Sequence, residues 1–105
     1  MAAGILAAEA YHAGVVRGLL YRRGGRARAA ADAIAGFRDQ VDGPSVTDQP
    51  LRVNGRPNFA PLDSAGIAFS RPPAQVLNVV YGAPGQGVSS GGFFPQGMSG
   101  RVQTT

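Results

Sequence analysis

Cysteine is absent from this chain, which excludes disulfides and thiolate metal sites. Lysine is absent too: all ten positive charges are arginine, a bias that GC-rich coding explains by itself. The net charge of +4 is mild; it permits attraction to anions without establishing it. No stretch reaches the roughly 18 apolar residues of a membrane span. A secretory leader is not expected, because no basic segment precedes the first apolar run. Glutamate and histidine occur once each, as Glu9 and His12. The 105 residues allow one small domain at most, with a modest core. What the chain has in excess is glycine and proline, 16 and 8 residues. Their combined share lies well above the usual roughly 12%, and most fall in the second half. The composition therefore predicts a helical first part and a loop-rich second part.

Residues 2–23 read as one long helix, long enough at about 33 Å for a bundle helix. At about 100° per residue, Ile5, Leu6, Glu9, His12, Ala13, Val16, Leu19 and Leu20 fall in one sector. Tyr11, Arg17, Tyr21 and Arg22 fall outside it. This distribution predicts a helix whose apolar side packs on other helices. Gly14 and Gly18 lie opposite and allow a second close approach, at a cost in helix propensity. Gly24 and Gly25 end the segment, with arginines at its negative end. A second helix is predicted over 27–42, with Ala30, Ile34, Phe37 and Val41 as its apolar stripe. Arg28–Asp32 and Arg38–Asp42 are i,i+4 pairs on its exposed faces, and Gly43–Pro44 stops it.

Residues 43–63 are loop, with a turn signal at Val53-Asn54-Gly55-Arg56-Pro57. That is too long for an ordinary connector. Val46, Leu51, Val53, Phe59 and Leu62 are spread through it, which favours a segment wrapped over a larger body. A short helix is predicted near 72–81: Ser70 can cap it, Pro72 or Pro73 suits its first turn and Gly82 ends it. Val76, Leu77, Val80 and Tyr81 would face a core; a strand over Gln75–Tyr81 is the alternative. In the glycine-rich tail, Phe93 and Phe94 are expected to pin the chain to a surface, and the last residues are expected to fray.

Glu9 and His12 stand three apart, so they project side by side from a helix. A carboxylate and an imidazole so placed reach one metal ion, as the Glu-x-x-His pairs of di-iron bundles do. Within a packed apolar sector an ionised glutamate demands coordination or pairing. The alternative is that His12 or a neighbouring arginine satisfies Glu9 by hydrogen bonding. A complete dinuclear site draws on four helices, so these two residues are at best half of one. Arg17, Arg22, Arg23, Arg26 and Arg28 could contact phosphates. With Tyr21 the one aromatic nearby, they read better as a solvated helix end than as a nucleic-acid site. Residues 81–92 lack the register of a phosphate loop. A nucleophilic triad is not expected, since the one imidazole lies on a packed helix face. Asp63 reads as a turn cap.

Four segments carry a family resemblance: AAGILAAEAYHAGVVRGLL (2–20), DAIAGFRDQVDG (32–43), APLDSAGIAFSRPPAQVLNVVYG (60–82) and GGFFPQGMSG (91–100). They resemble the C-terminal part of ferritin-like domain proteins related to plant desiccation-related proteins. The last of these segments, and FSRPPAQVLNVVYG within the third, are the more specific. The resemblance implies an all-α fold: a ferritin-like bundle segment of two to three helices over 1–42 (2–23 and 27–42), with a loop-rich extension over 43–105. It implies that Glu9 and His12 ligate iron or manganese as half of a di-metal carboxylate site in a stress- or desiccation-associated protein. It implies an extracytoplasmic origin for a full-length parent. The first helix has more apolar surface than helix 27–42 alone covers, so self-association or a missing N-terminal half is expected, and the chain alone is not expected to be an enzyme. The rival reading is a structural or interaction protein that keeps the fold without metal.

Overall fold

A computed structural model of the chain describes residues 2–43 and 48–105, with side chains from residue 4. Three helices run over Ala2–Arg22 (α1), Gly25–Asp42 (α2) and Pro73–Tyr81 (α3). Arg52–Val53 (β1) and Arg56–Pro57 (β2) form an antiparallel hairpin, so the fold is mainly but not purely helical. The predicted helices at 2–23, 27–42 and 72–81 are thus present, and α3 displaces the alternative strand. Val46, Pro44 and Ser45 lie outside the described residues. The chain divides into two units: Met1–Ala35 with Asp48–Phe69, and Gly36–Thr47 with Ser70–Thr105. The division falls within α2.

In unit one, α1 and the start of α2 are joined by Gly24, whose positive φ of 93° turns the chain. Gly25 then opens α2 instead of closing α1. Arg28 folds back across this turn: its Nε donates to the Tyr21 carbonyl at 2.9 Å, and its guanidinium lies 4.0 Å from the centre of the Tyr21 ring. Within this unit α1 and the start of α2 do not pack along each other among the described residues. Instead, Gln49, Pro50, Asn58 and Phe59 lie against α1, on the face carrying Gly14, Arg17 and Tyr21. Arg17 is the clasp. Its Nε and Nη2 donate to the Asn58 carbonyl at 2.9 and 2.8 Å, and Nη2 also reaches the carbonyls of Pro50 and Gln49 at 2.8 and 3.1 Å. A β-carbon at Gly14 would stand 3.5 Å from the Phe59 carbonyl, an ordinary contact. Tyr21 meets Phe59 edge to face, with ring centres 5.4 Å apart.

The wrap anticipated for 43–63 is therefore present in its described part, but it lies on the polar side of α1. Asp32 fixes the same stretch by accepting the Leu51 N–H, next to Pro50, at 2.7 Å, and Leu51 is one of the few buried apolar side chains. The turn at 53–56 has φ of 50° at Asn54 and 77° at Gly55, the conformation that a two-residue hairpin requires of an Asn-Gly pair. Asp63 caps a turn as expected, its carboxylate accepting the N–H groups of Ala65 and Ile67 at 2.9 Å each.

Unit two is organised by Tyr81 and Asp42. Leu77 and Tyr81 of α3 are buried, whereas Val76 is exposed. Pro72, not Ser70, is the N-cap of α3. Gly82 ends the helix in the left-handed conformation, and the N–H groups of Gly82 and Ala83 close onto the carbonyls of Val79 and Asn78. The chain then returns against α3. The Phe93 N–H donates to the Val80 carbonyl at 2.9 Å, and a β-carbon at Gly91 (φ 138°) would fall 2.6 Å from the Tyr81 carbonyl. The Tyr81 hydroxyl donates to the Gln103 carbonyl at 2.7 Å.

Phe93 itself is 82% exposed, so the tail is pinned by Tyr81 and by close glycine backbone, not by the Phe93 ring. Nor does the end fray: the Thr105 N–H donates to the Val88 carbonyl at 3.1 Å and the Gly87 N–H to the Thr105 carbonyl at 2.9 Å. Asp42, predicted on an exposed face, has a fully buried carboxylate that accepts from Arg71 Nε at 2.6 Å.

Three outcomes follow for stability in denaturant unfolding. Lysine cannot reproduce the forked geometry of a guanidinium, so Arg17→Lys is expected to cost about 2 kcal/mol. Arg71→Met leaves a buried carboxylate without its guanidinium and is expected to cost about 3–5 kcal/mol, of which Asp42→Asn in the same chain recovers a part. Gly91→Ala, which combines a positive φ with a backbone clash, is expected to cost at least about 2 kcal/mol.

Candidate functional site

The sector of α1 expected to pack on other helices is exposed. Ile5, Val16 and Leu19 are 55%, 53% and 54% exposed, and Glu9 and His12 lie exposed between them. The cause is the wrap. Gly14, Arg17 and Tyr21 offer a groove, a cation and a ring to a segment rich in free carbonyls, and this satisfies more of its polar groups than an aliphatic face could. The outer face keeps a regular order. Ile5, Glu9, His12, Val16 and Leu19 follow one another at intervals of four, three, four and three residues, the spacing of a coiled-coil seam.

Glu9 and His12 are thus side by side on one helix face, as their spacing predicted, but they are not buried there. Exposure removes the desolvation that would have obliged Glu9 to find a counter-charge. Neither makes a hydrogen bond or ion pair among the described residues, and no further carboxylate or imidazole joins them. As they stand they supply one carboxylate and one imidazole to whatever meets this face.

A second group of potential ligands was not anticipated. Asp39 and Asp42, one turn apart in α2, present carboxylate oxygens within 4.8 Å of each other. Two hard oxygen donors at that distance can share a divalent cation such as magnesium, calcium or manganese. Their spacing of three is visible in the sequence, but the local pattern places Asp42 on an exposed face, whereas it is buried. The burial that brings Asp42 to Arg71 comes from the return of the chain after residue 70, which no local pattern announces. The Arg71 guanidinium already neutralises one Asp42 oxygen, so a cation there would compete with it. Asp48, the next carboxylate along the chain, belongs to unit one.

The arginine cluster is divided by the fold. Arg22, Arg23 and Arg26 are exposed at the α1–α2 turn, while Arg28 is spent on Tyr21 and Arg17 on the loop. Burial pushes the Arg17 guanidinium down from its ordinary value, and the charges of Asp32 and Asp48 act against this. Among the described residues, no helix is long and apolar enough to cross a membrane.

No family model, no curated protein and no solved structure matches this chain.

Proposed function

We propose that the chain is a helical interaction module whose working surface is the outer face of α1. The observation that carries this reading is the exposure of Ile5, Val16 and Leu19 in one straight seam. A helix in water gains little from such a stripe unless something covers it, and an ordered apolar patch is characteristic of a site of association. The helix is held from behind by Arg17, so it presents the seam without needing a partner to fold it. It shares the class of the rival expected from the sequence, an interaction protein without metal, but puts the contact on the exposed α1 seam instead of on the C-terminal segment.

The resemblance to ferritin-like, desiccation-related proteins extends the reading. In that extension the chain is the C-terminal portion of a bundle, the helices that complete it dock on the α1 seam, and Glu9 and His12 become half of a di-metal carboxylate site. Their adjacency and shared exposure on the docking face support this: ligands that lack companions within the chain stand where companions would arrive. A carboxylate and a neutral imidazole suit iron or manganese. Glu9 would supply an oxygen and His12 a ring nitrogen, and the remaining ligands would come from the docking helices. A parent protein exported from the cytoplasm belongs to the same extension.

Two measurements test these layers. An apolar fluorescent dye is expected to bind the chain and to lose most of its signal with Val16→Lys plus Leu19→Lys; an unchanged signal rejects the seam as a docking surface. After reconstitution with iron or manganese, bound metal is expected to fall in Glu9→Ala relative to the parent. Equal, near-zero occupancy in both rejects the half-site.

A further inference from the structure

We propose that the α1 seam is closed by a second copy of this chain, with the two α1 helices antiparallel about a two-fold axis crossing between positions 10 and 11. The inference rests on the reading of that face as a docking surface and names its occupant. Its carrier is the order of residues along the seam. Ile5, Glu9, His12 and Val16 read apolar, acidic, basic, apolar, and the spacing is the same from either end. Turned end over end, the seam therefore fits itself. Ile5 meets the partner's Val16, Glu9 meets the partner's His12, and both contacts occur twice. Leu19 falls over the first turn of the partner helix.

The two polar residues select this arrangement over its competitors. A parallel pair in register sets Glu9 against Glu9 in the middle of an apolar seam, where like charges repel. An antiparallel pair slipped by seven positions sets Glu9 against Leu19 or Ile5 and leaves a carboxylate covered without a donor. In the proposed register a His12 ring N–H donates to each carboxylate across the axis. Polar residues within a seam fix register and orientation in this way at some cost in affinity. The contact uses the same surface on both copies, so it closes at two. It also leaves intact the opposite face of α1, where Gly14, Arg17 and Tyr21 hold the wrapped loop. One helix face buries an area at the small end of specific interfaces, so the dimer exchanges with monomer instead of being obligate.

Sedimentation equilibrium over roughly 1–200 µM is expected to show a monomer–dimer equilibrium. Glu9→Lys alone and His12→Glu alone should each weaken dimerisation about tenfold or more: the first removes the acceptor of the His12 N–H at both crossings, and the second places carboxylate against carboxylate there. An equimolar mixture of the two should restore it, because Lys then meets Glu and His meets Glu. Both positions are exposed and away from the Arg17 clasp, and an unchanged circular dichroism spectrum confirms folding. Because the chain has no cysteine, Ile5→Cys and Val16→Cys each carry a unique thiol. Oxidation should cross-link their mixture and neither variant alone. Cross-linking of Ile5→Cys with itself, or a dimer indifferent to both charge changes, overturns the register. A parent chain that stays monomeric while the apolar dye still binds overturns the second copy but spares the docking surface. A monomer that binds no dye removes both.

Discussion

One guanidinium organises the first unit. Residues 48–69 bury little of their apolar content, since Val53, Phe59, Leu62 and Ile67 stay exposed, and their carbonyls must find donors once they leave water. Arg17 meets three of those carbonyls with two nitrogens, and the backbone of Phe59 lies beside Gly14, one turn earlier, with room for a β-carbon. That single attachment determines which side of α1 is covered. The side left over is the aliphatic one. The exposure of the seam, and every functional inference drawn from it, is therefore a consequence of where Arg17 lies on the helix.

The second unit solves a similar problem by other means. Its tail has few large side chains to bury, and it is held by backbone proximity at Gly91 and Gly92, by the Tyr81 hydroxyl and by the pairing of Thr105 with Val88. The Asp42–Arg71 ion pair joins the end of α2 to the approach to α3. Such a pair specifies geometry more than it adds stability, because both partners lose their hydration. Among the described residues the buried apolar set is small: Ala35, Val41, Leu51, Leu77 and Tyr81. Polar clasps carry a share of the organisation that a larger core would otherwise supply.

Element positions were legible because their signals are local. Alanine-rich periodicity marked α1 and α2, proline followed nine residues later by glycine marked α3, and Asn54-Gly55 marked the hairpin turn. The facing of α1 was misread because amphipathicity reports which side is apolar, not which side is covered. An arginine beside glycine is a docking face when a carbonyl-rich loop lies within reach, and the loop is some thirty residues away. The burial of Asp42 and the role of Asp32 escape sequence reading for the same reason: the Leu51 N–H and Arg71, which they meet, are remote in sequence. Phe93, read as an anchor by its apolarity alone, is held outward by the turn in which it sits.

What the sequence by itself determined is the set of helices, the turns between them and the adjacency of Glu9 and His12. Backbone propensity and the 3.6-residue repeat act over a few residues and need no partner. What only the tertiary structure decided is which faces are covered, which carboxylates are buried and where the seam is left open. Those outcomes depend on competition for hydrogen-bond donors and buried area between segments far apart in the chain, and such a competition is resolved only when the segments meet.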